Sequence, residues 1–164
     1  MRKSVLLMIL LFAVGMTASA QKFALIDMEY ILKNIPAYER ANEQLNQVSK
    51  KWQSEVEKVA EEAKTLYKNY QSEAVFLSEE QKGKKEEAIV AKEKEAAELR
   101  RTYFGPEGEL FKKRESLMQP IQDEIYNAVK EISEQKGYSV VVDRASATSI
   151  IFASPRFDIS NEVL

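Results

Sequence analysis

Residues 74–81, Ala74-Val75-Phe76-Leu77-Ser78-Glu79-Glu80-Gln81, decide how this chain folds. Ser78 to Gln81 has the form of a capping box, in which the Ser78 hydroxyl and the Gln81 side chain satisfy each other's backbone donors at the first turn of a helix. A helix therefore begins at Ser78, and the apolar residues before it close a helix that arrives from the other direction. The stretch is a reversal near Leu77-Ser78 inside a segment, Pro36 to Lys136, that otherwise reads as helix.

Working back from the reversal, Tyr38, Ala41, Leu45, Val48, Trp52, Val56, Val59, Ala63, Leu66, Tyr70, Ala74 and Leu77 step by three and four, the spacing of a coiled-coil seam. Successive steps of four at Trp52–Val56 and Tyr70–Ala74 relax the supercoil, so a nearly straight arm is expected. At about 1.5 Å per residue the arm is a rod of roughly 60 Å, too long to fold back into a small globular core. Its partner is expected from the same chain. Reflection about Ser78 sets Leu66 near Val90, Tyr67 near Ile89, Leu45 near Phe111 and Tyr38 near Met118, so apolar residues meet. Charge pairs such as Glu80–Lys84 and Glu109–Lys113 account for the outer faces. The predicted architecture is α+β and mostly α, with a long antiparallel helical hairpin over residues 37–118.

The returning helix is interrupted at Phe104-Gly105-Pro106-Glu107-Gly108. Pro106 removes a backbone donor, and each glycine costs about 1 kcal/mol relative to alanine inside a helix. Reflection puts this weak point opposite Trp52, the only tryptophan. Trp52, Phe104, Gly105, Pro106 and Gly108 are therefore the candidate hinge, and Val75, Phe76, Leu77 and Ser78 the tip. A static junction between two helices is the plainer alternative.

Beyond the interruption, Leu110, Phe111, Leu117, Ile121, Ile125, Ala128, Val129 and Ile132 form a wider apolar stripe suited to packing on a body. Gly137 is placed to end the helix as a C′ residue. Strands are expected at Phe23–Ile26, Tyr138–Asp143 and Ser149–Ala153, with Asp27 capping a short helix from Met28 to Ile35 and Asp158 or Ser160 capping a terminal turn. Residues 21–36 and 119–164 thus form a small β-rich body. Phe23, Leu25, Val140, Val142, Ile150 and Phe152 alternate along its strands and are expected to line a core shared between subunits. So small a sheet is barely stable alone, and self-association would cover its edges.

The chain opens with Arg2 and Lys3, an apolar run from Val5 to Met16, and Ala18-Ser19-Ala20. This has the form of an export signal, residues 1–20, cleaved after Ala20. The run of about a dozen apolar residues falls short of the roughly 20 that span a bilayer, and no cysteine follows for lipid attachment. Removing residues 1–20 takes two basic and no acidic residues, which moves the net charge from -2 to about -4. A nucleic-acid binder is normally basic. The absence of cysteine and histidine removes thiol nucleophiles, imidazole bases and the common zinc ligands. No cofactor or metal is expected, and an enzymatic reading rests only on Asp27 and Asp143 at strand ends.

An export signal, an opening strand at Phe23–Asp27, a long charged hairpin, the strand Gly137-Tyr138-Ser139-Val140-Val141-Val142-Asp143 and the closing Asp158-Ile159-Ser160-Asn161-Glu162-Val163-Leu164 together resemble the OmpH/Skp periplasmic chaperones. The resemblance covers essentially the whole chain after residue 20. It implies a homotrimer whose strands form a common β body, with three coiled-coil tentacles around a cavity. It also implies periplasmic localisation and an ATP-independent holdase that binds unfolded outer-membrane proteins. Well-known members are strongly basic, whereas this chain is acidic, so no lipopolysaccharide site is transferred; contact with the envelope would be peripheral. The alternative is a structural or adaptor coiled coil of the envelope whose apolar tip docks on one fixed partner.

Overall fold

The computed structural model describes residues 22–147 and 149–164. The expected export signal lies outside these residues. Two compact units emerge, residues 32–126 and the pair of segments 22–31 with 127–164.

In the second of these, strand β1 (Lys22–Ile26) pairs in parallel with β2 (Tyr138–Asp143), setting Phe23 beside Val140, Leu25 beside Val142 and Ile26 beside Asp143. The Arg144 N–H continues the ladder to the Ile26 carbonyl at 2.8 Å. A parallel pair demands a long crossover, and here everything from Asp27 to Gly137 supplies it. Gly137, at φ 72°, makes the left-handed turn between the helix ending at Lys136 and β2, as expected for a C′ glycine. Asp27 caps helix α1 (Met28–Asn34), its Oδ1 accepting the Tyr30 N–H at 2.9 Å. Ala24, Leu25, Ile26, Ile31 and Ile159 are buried and form the apolar interior of this unit.

The third strand departs from expectation. Residues 149–153 are not strand in the single chain; Ile151 is fully exposed and Phe152 is 85% exposed. The far edge of β1 is instead taken by the chain's end, where Leu25 bridges to Asp158 and the Ile159 N–H donates to the Leu25 carbonyl at 2.9 Å. The β1 edge is thus contacted by Asp158–Ile159, while the outer edge of β2 carries no strand among the described residues; the alternating apolar run 149–153 pairs with neither.

In residues 32–126, α2 (Pro36–Glu73) and α3 (Glu79–Phe104) are joined by a single 3₁₀ turn at Ala74–Phe76. The capping box is formed: Gln81 N–H donates to Ser78 Oγ at 3.3 Å and Ser78 N–H to Gln81 Oε1 at 2.9 Å. Ala41, Leu45, Val56 and Ala63 are buried along α2, all on the expected seam. The two helices pair through Trp52 with Tyr103, Glu62 with Lys92, Tyr70 with Glu86 and Glu73 with Lys85, every pair within two residues of the mirror position about Ser78.

The seam of α3 differs in composition from the expectation. Apart from Gly83, its shielded positions are Lys82, Lys85, Ile89, Lys92, Ala96, Leu99 and Tyr103, alternately three and four apart, with only Ile89 buried. Leu66 and Val90, expected to meet inside, are 37% and 46% exposed, and Tyr67 also faces solvent. The heptad places Ile89, not Val90, in the seam. After the interruption, α4 (Glu109–Lys136) carries Pro120 in its interior, with Ile121 and Ile125 buried.

Candidate functional site

The tip is the most exposed apolar feature of the hairpin. The 3₁₀ turn holds Val75 and Phe76 outward at 82% and 86% exposure, Leu77 is partly shielded, and Ser78 is committed to the cap. A turn of three residues between antiparallel helices leaves its central side chains nothing to pack on. The lysines beside the tip are paired, Lys82 with Glu79 at 2.7 Å, Lys84 with Glu80 at 2.6 Å and Lys85 with Glu73 at 2.5 Å. The tip is thus apolar and locally balanced in charge.

Along the shaft, Ala60, Ala63, Tyr67, Ala96 and Ala97 floor an open groove of about 390 Å³, edged by Lys64, Glu93 and Arg100. With Leu66 and Val90 also exposed, the shaft offers shallow apolar surface interrupted by both signs of charge. Such a surface can make many weak contacts without selecting one conformation of what it touches.

At the interruption, the Gly105 N–H closes α3 on the Arg101 carbonyl at 2.9 Å, and the Gly108 N–H turns back to the Gly105 carbonyl at 2.9 Å. Neither glycine has positive φ; both are required by close approach. A Cβ at Gly105 would lie 2.4 Å from the Arg101 carbonyl oxygen, and one at Gly108 would lie 2.7 Å from that of Thr102. Pro106 sits at the exposed turn between them. Trp52 stacks on Tyr103, two residues before Gly105, with ring centroids 4.9 Å apart and an interplanar angle of 4°. Tyr103 also donates to Glu55 Oε2 at 2.7 Å, and that hydrogen bond raises its hydroxyl pKa above the usual value. Phe104 meets Tyr103 edge-on at 6.4 Å. Tyr103 and Glu55 were not singled out from sequence, although the seam spacing from Ile89 through Ala96 leads directly to Tyr103.

The body candidates divide. Leu25 is buried within the single chain, and Val142 is partly shielded beside it. Phe23, Val140, Ile150 and Phe152 remain exposed, with Phe23 stacked on Phe157 at 4.7 Å.

The strand-end carboxylates are committed to structure. Asp143 Oδ1 accepts the Met28 and Ala145 N–H groups at 3.1 and 3.0 Å. Burial pushes its carboxyl upward, but hydrogen bonds from Met28, Ser146 and Ala145 outweigh this and hold it below the usual value. Asp158 is likewise raised by burial and lowered further by Ser160 and the nearby Arg144 charge, with a net downward shift. Arg144 bridges Asp27 at 3.1 Å and Asp158 at 3.2 Å, while Ser160 Oγ accepts the Asp27 N–H at 2.8 Å. This network ties the chain's end to β1 and leaves Asp27 and Asp143 engaged as caps. Among the described residues no His, Cys, Asp or Glu cluster could hold a metal ion, and no helix is long and apolar enough to cross a membrane.

A chain that combines a helical hairpin with a small two-stranded sheet has counterparts among known proteins. A crystal structure of a candidate outer membrane chaperone (OmpH-like) from Caulobacter crescentus CB15 superposes with a TM-score of 0.72 at 11% identity, covering 87% of this chain and 81% of that one. At such identity the likeness establishes the fold. No curated protein matches the sequence. The family model described as OmpH, outer membrane protein (OmpH-like), matches residues 22–164, nearly the whole chain. The chain belongs to the OmpH-like family.

Proposed function

We propose that this protein is an ATP-independent periplasmic holdase that binds unfolded outer-membrane proteins between the tentacles of a homotrimer and prevents their aggregation. Family membership supports a periplasmic chaperone of outer-membrane proteins in general. The observation that carries the finer reading is the arm itself, whose Leu66, Tyr67, Val75, Phe76, Val90 and Phe104 stay open to solvent on a rigid helical frame. An unfolded barrel protein exposes alternating apolar residues, and many weak, mobile contacts retain it at little cost in its own ordering. The proposed assembly joins subunits through Phe23, Val140, Ile150 and Phe152, the apolar body residues a single chain leaves uncovered. In the same scheme Gly105, Pro106 and Gly108 are where the arm bends to suit the client.

Diluting a urea-unfolded barrel protein into buffer with the mature chain tests this. Suppressed light scattering together with a native mass of three chains plus one client is expected. Unchanged aggregation at stoichiometric trimer would overturn the holdase reading. The exposed tip favours one alternative, an envelope adaptor that grips a fixed partner through Val75 and Phe76. Phe76→Glu separates them, since an adaptor loses its partner in a pull-down while a holdase keeps its protection against aggregation.

A further inference from the structure

The seam positions of α3 are of two kinds. From Ala96 to Tyr103 they are apolar or aromatic, and this inner part is fixed by the Trp52–Tyr103 stack, the Tyr103–Glu55 hydrogen bond and the buried Val56. From Lys82 to Lys92, three of the four are lysine. Across the hairpin, Lys92 reaches Glu62 at 3.1 Å, Lys85 reaches Glu73 at 2.5 Å and Tyr70 donates to Glu86. Lys92 is held in addition by Glu95 of its own helix at 2.9 Å. The only buried apolar side chains of this outer half, among the described residues, are Ala63 and Ile89.

Exposed ion pairs hold weakly, and salt weakens them further as the screening length falls from about 10 Å at 0.1 M to about 3 Å at 1 M. Ring stacking and apolar burial are not screened. We propose that the outer half of the hairpin, residues 62–92, is a charge-latched clasp that parts independently of the inner half, with an open population set by ionic strength. Parting uncovers Ile89 and Ala63 beside Leu66, Tyr67 and Val90, which are already exposed, and so lengthens the apolar strip offered to a client. That use of the clasp rests on the holdase reading; the clasp itself does not.

Amide hydrogen exchange on the client-free mature protein at 0.05 and 0.5 M sodium chloride is the test. Amides of residues 84–95 should exchange roughly tenfold faster at the higher salt, while those flanking Val56 and Tyr103 change by less than about twofold. The double substitution Lys85→Leu with Lys92→Leu should abolish the response. Lys84→Leu, which breaks only a pair within α3, should leave it intact. A response equal in both halves, or one that survives the double substitution, would overturn the proposal. Because exchange is read without client, failure of the holdase reading would appear in the aggregation assay and not in this one.

Discussion

Replacing Gly105 or Gly108 by alanine sets two physical effects against each other at one position. Helix propensity alone favours alanine by about 1 kcal/mol per site. The geometry opposes it, because the new Cβ would lie 2.4 Å from the Arg101 carbonyl oxygen at Gly105, and within 2.7–2.9 Å of three backbone atoms at Gly108. Backbone atoms cannot step aside as a flexible side chain can, so the turn must deform, at a cost typical of overpacking, about 1–3 kcal/mol. While Pro106 remains, the helix cannot run through the site, since proline lacks the donor and clashes with the preceding turn. The propensity gain is then not realised, and each single alanine should destabilise the hairpin by about 1–3 kcal/mol. The triple replacement of Gly105, Pro106 and Gly108 should cost less than the two singles together, because a continuous helix then becomes accessible. Urea unfolding followed by the emission of Trp52, which stacks on Tyr103 two residues before Gly105, reads this locally at fixed protein concentration. A neutral or stabilising Gly105→Ala would show that propensity and not close approach governs the site.

Three further outcomes are expected. Asp143 and Asp158 have lowered folded-state pKa values, so their stabilisation is complete above the unfolded-state carboxylate range and is lost as pH falls through the folded values; an acid titration followed by circular dichroism should show a shallower loss in Asp143→Asn, from a lower starting stability. Gly137→Ala must place a Cβ at φ 72° and should cost about 1–2 kcal/mol in urea unfolding, although nothing lies within 4 Å to clash with it. Val140→Asp puts charge on an exposed apolar strand position beside Phe23 and should dissociate the proposed oligomer in sedimentation velocity, an unchanged trimer counting against the assembly scheme.

The parts of the fold that were legible in sequence are those fixed by short-range chemistry. The capping box at Ser78 located the turn, and once the turn was placed, reflection located cross-helix partners to within two residues. Gly137 and Asp27 were equally readable, because a C′ glycine and an N-cap aspartate act within one turn of their own helix. Ile150 and Phe152 were not, because alternation announces a strand without saying whether an edge will receive it, and the outer edge of β2 stays unpaired within the single chain among the described residues. The seam of α3 escaped for a different reason. A search for apolar periodicity cannot see positions filled by Lys82, Lys85 and Lys92, whose stems line the interface while their charges find carboxylates at its rim. The tightness of Gly105 and Gly108 lies in backbone approach, which no side-chain pattern records.

The parallel pairing of β1 with β2 makes the whole hairpin a single crossover of roughly a hundred residues between two adjacent strands. Closing a flexible loop of that size costs about 4 kcal/mol, and halving or doubling its length changes the cost by only about 0.6 kcal/mol. The body is thus nearly indifferent to how far the arm extends. The constraint on length comes from the mirror pairing about Ser78: residues gained or lost on the outgoing helix must be matched on the returning one, or every contact beyond the change slips register. Arm reach can therefore drift by paired whole-turn insertions while the two strands stay as they are, so that homologues of very different size could share one strand pair and differ in arm length.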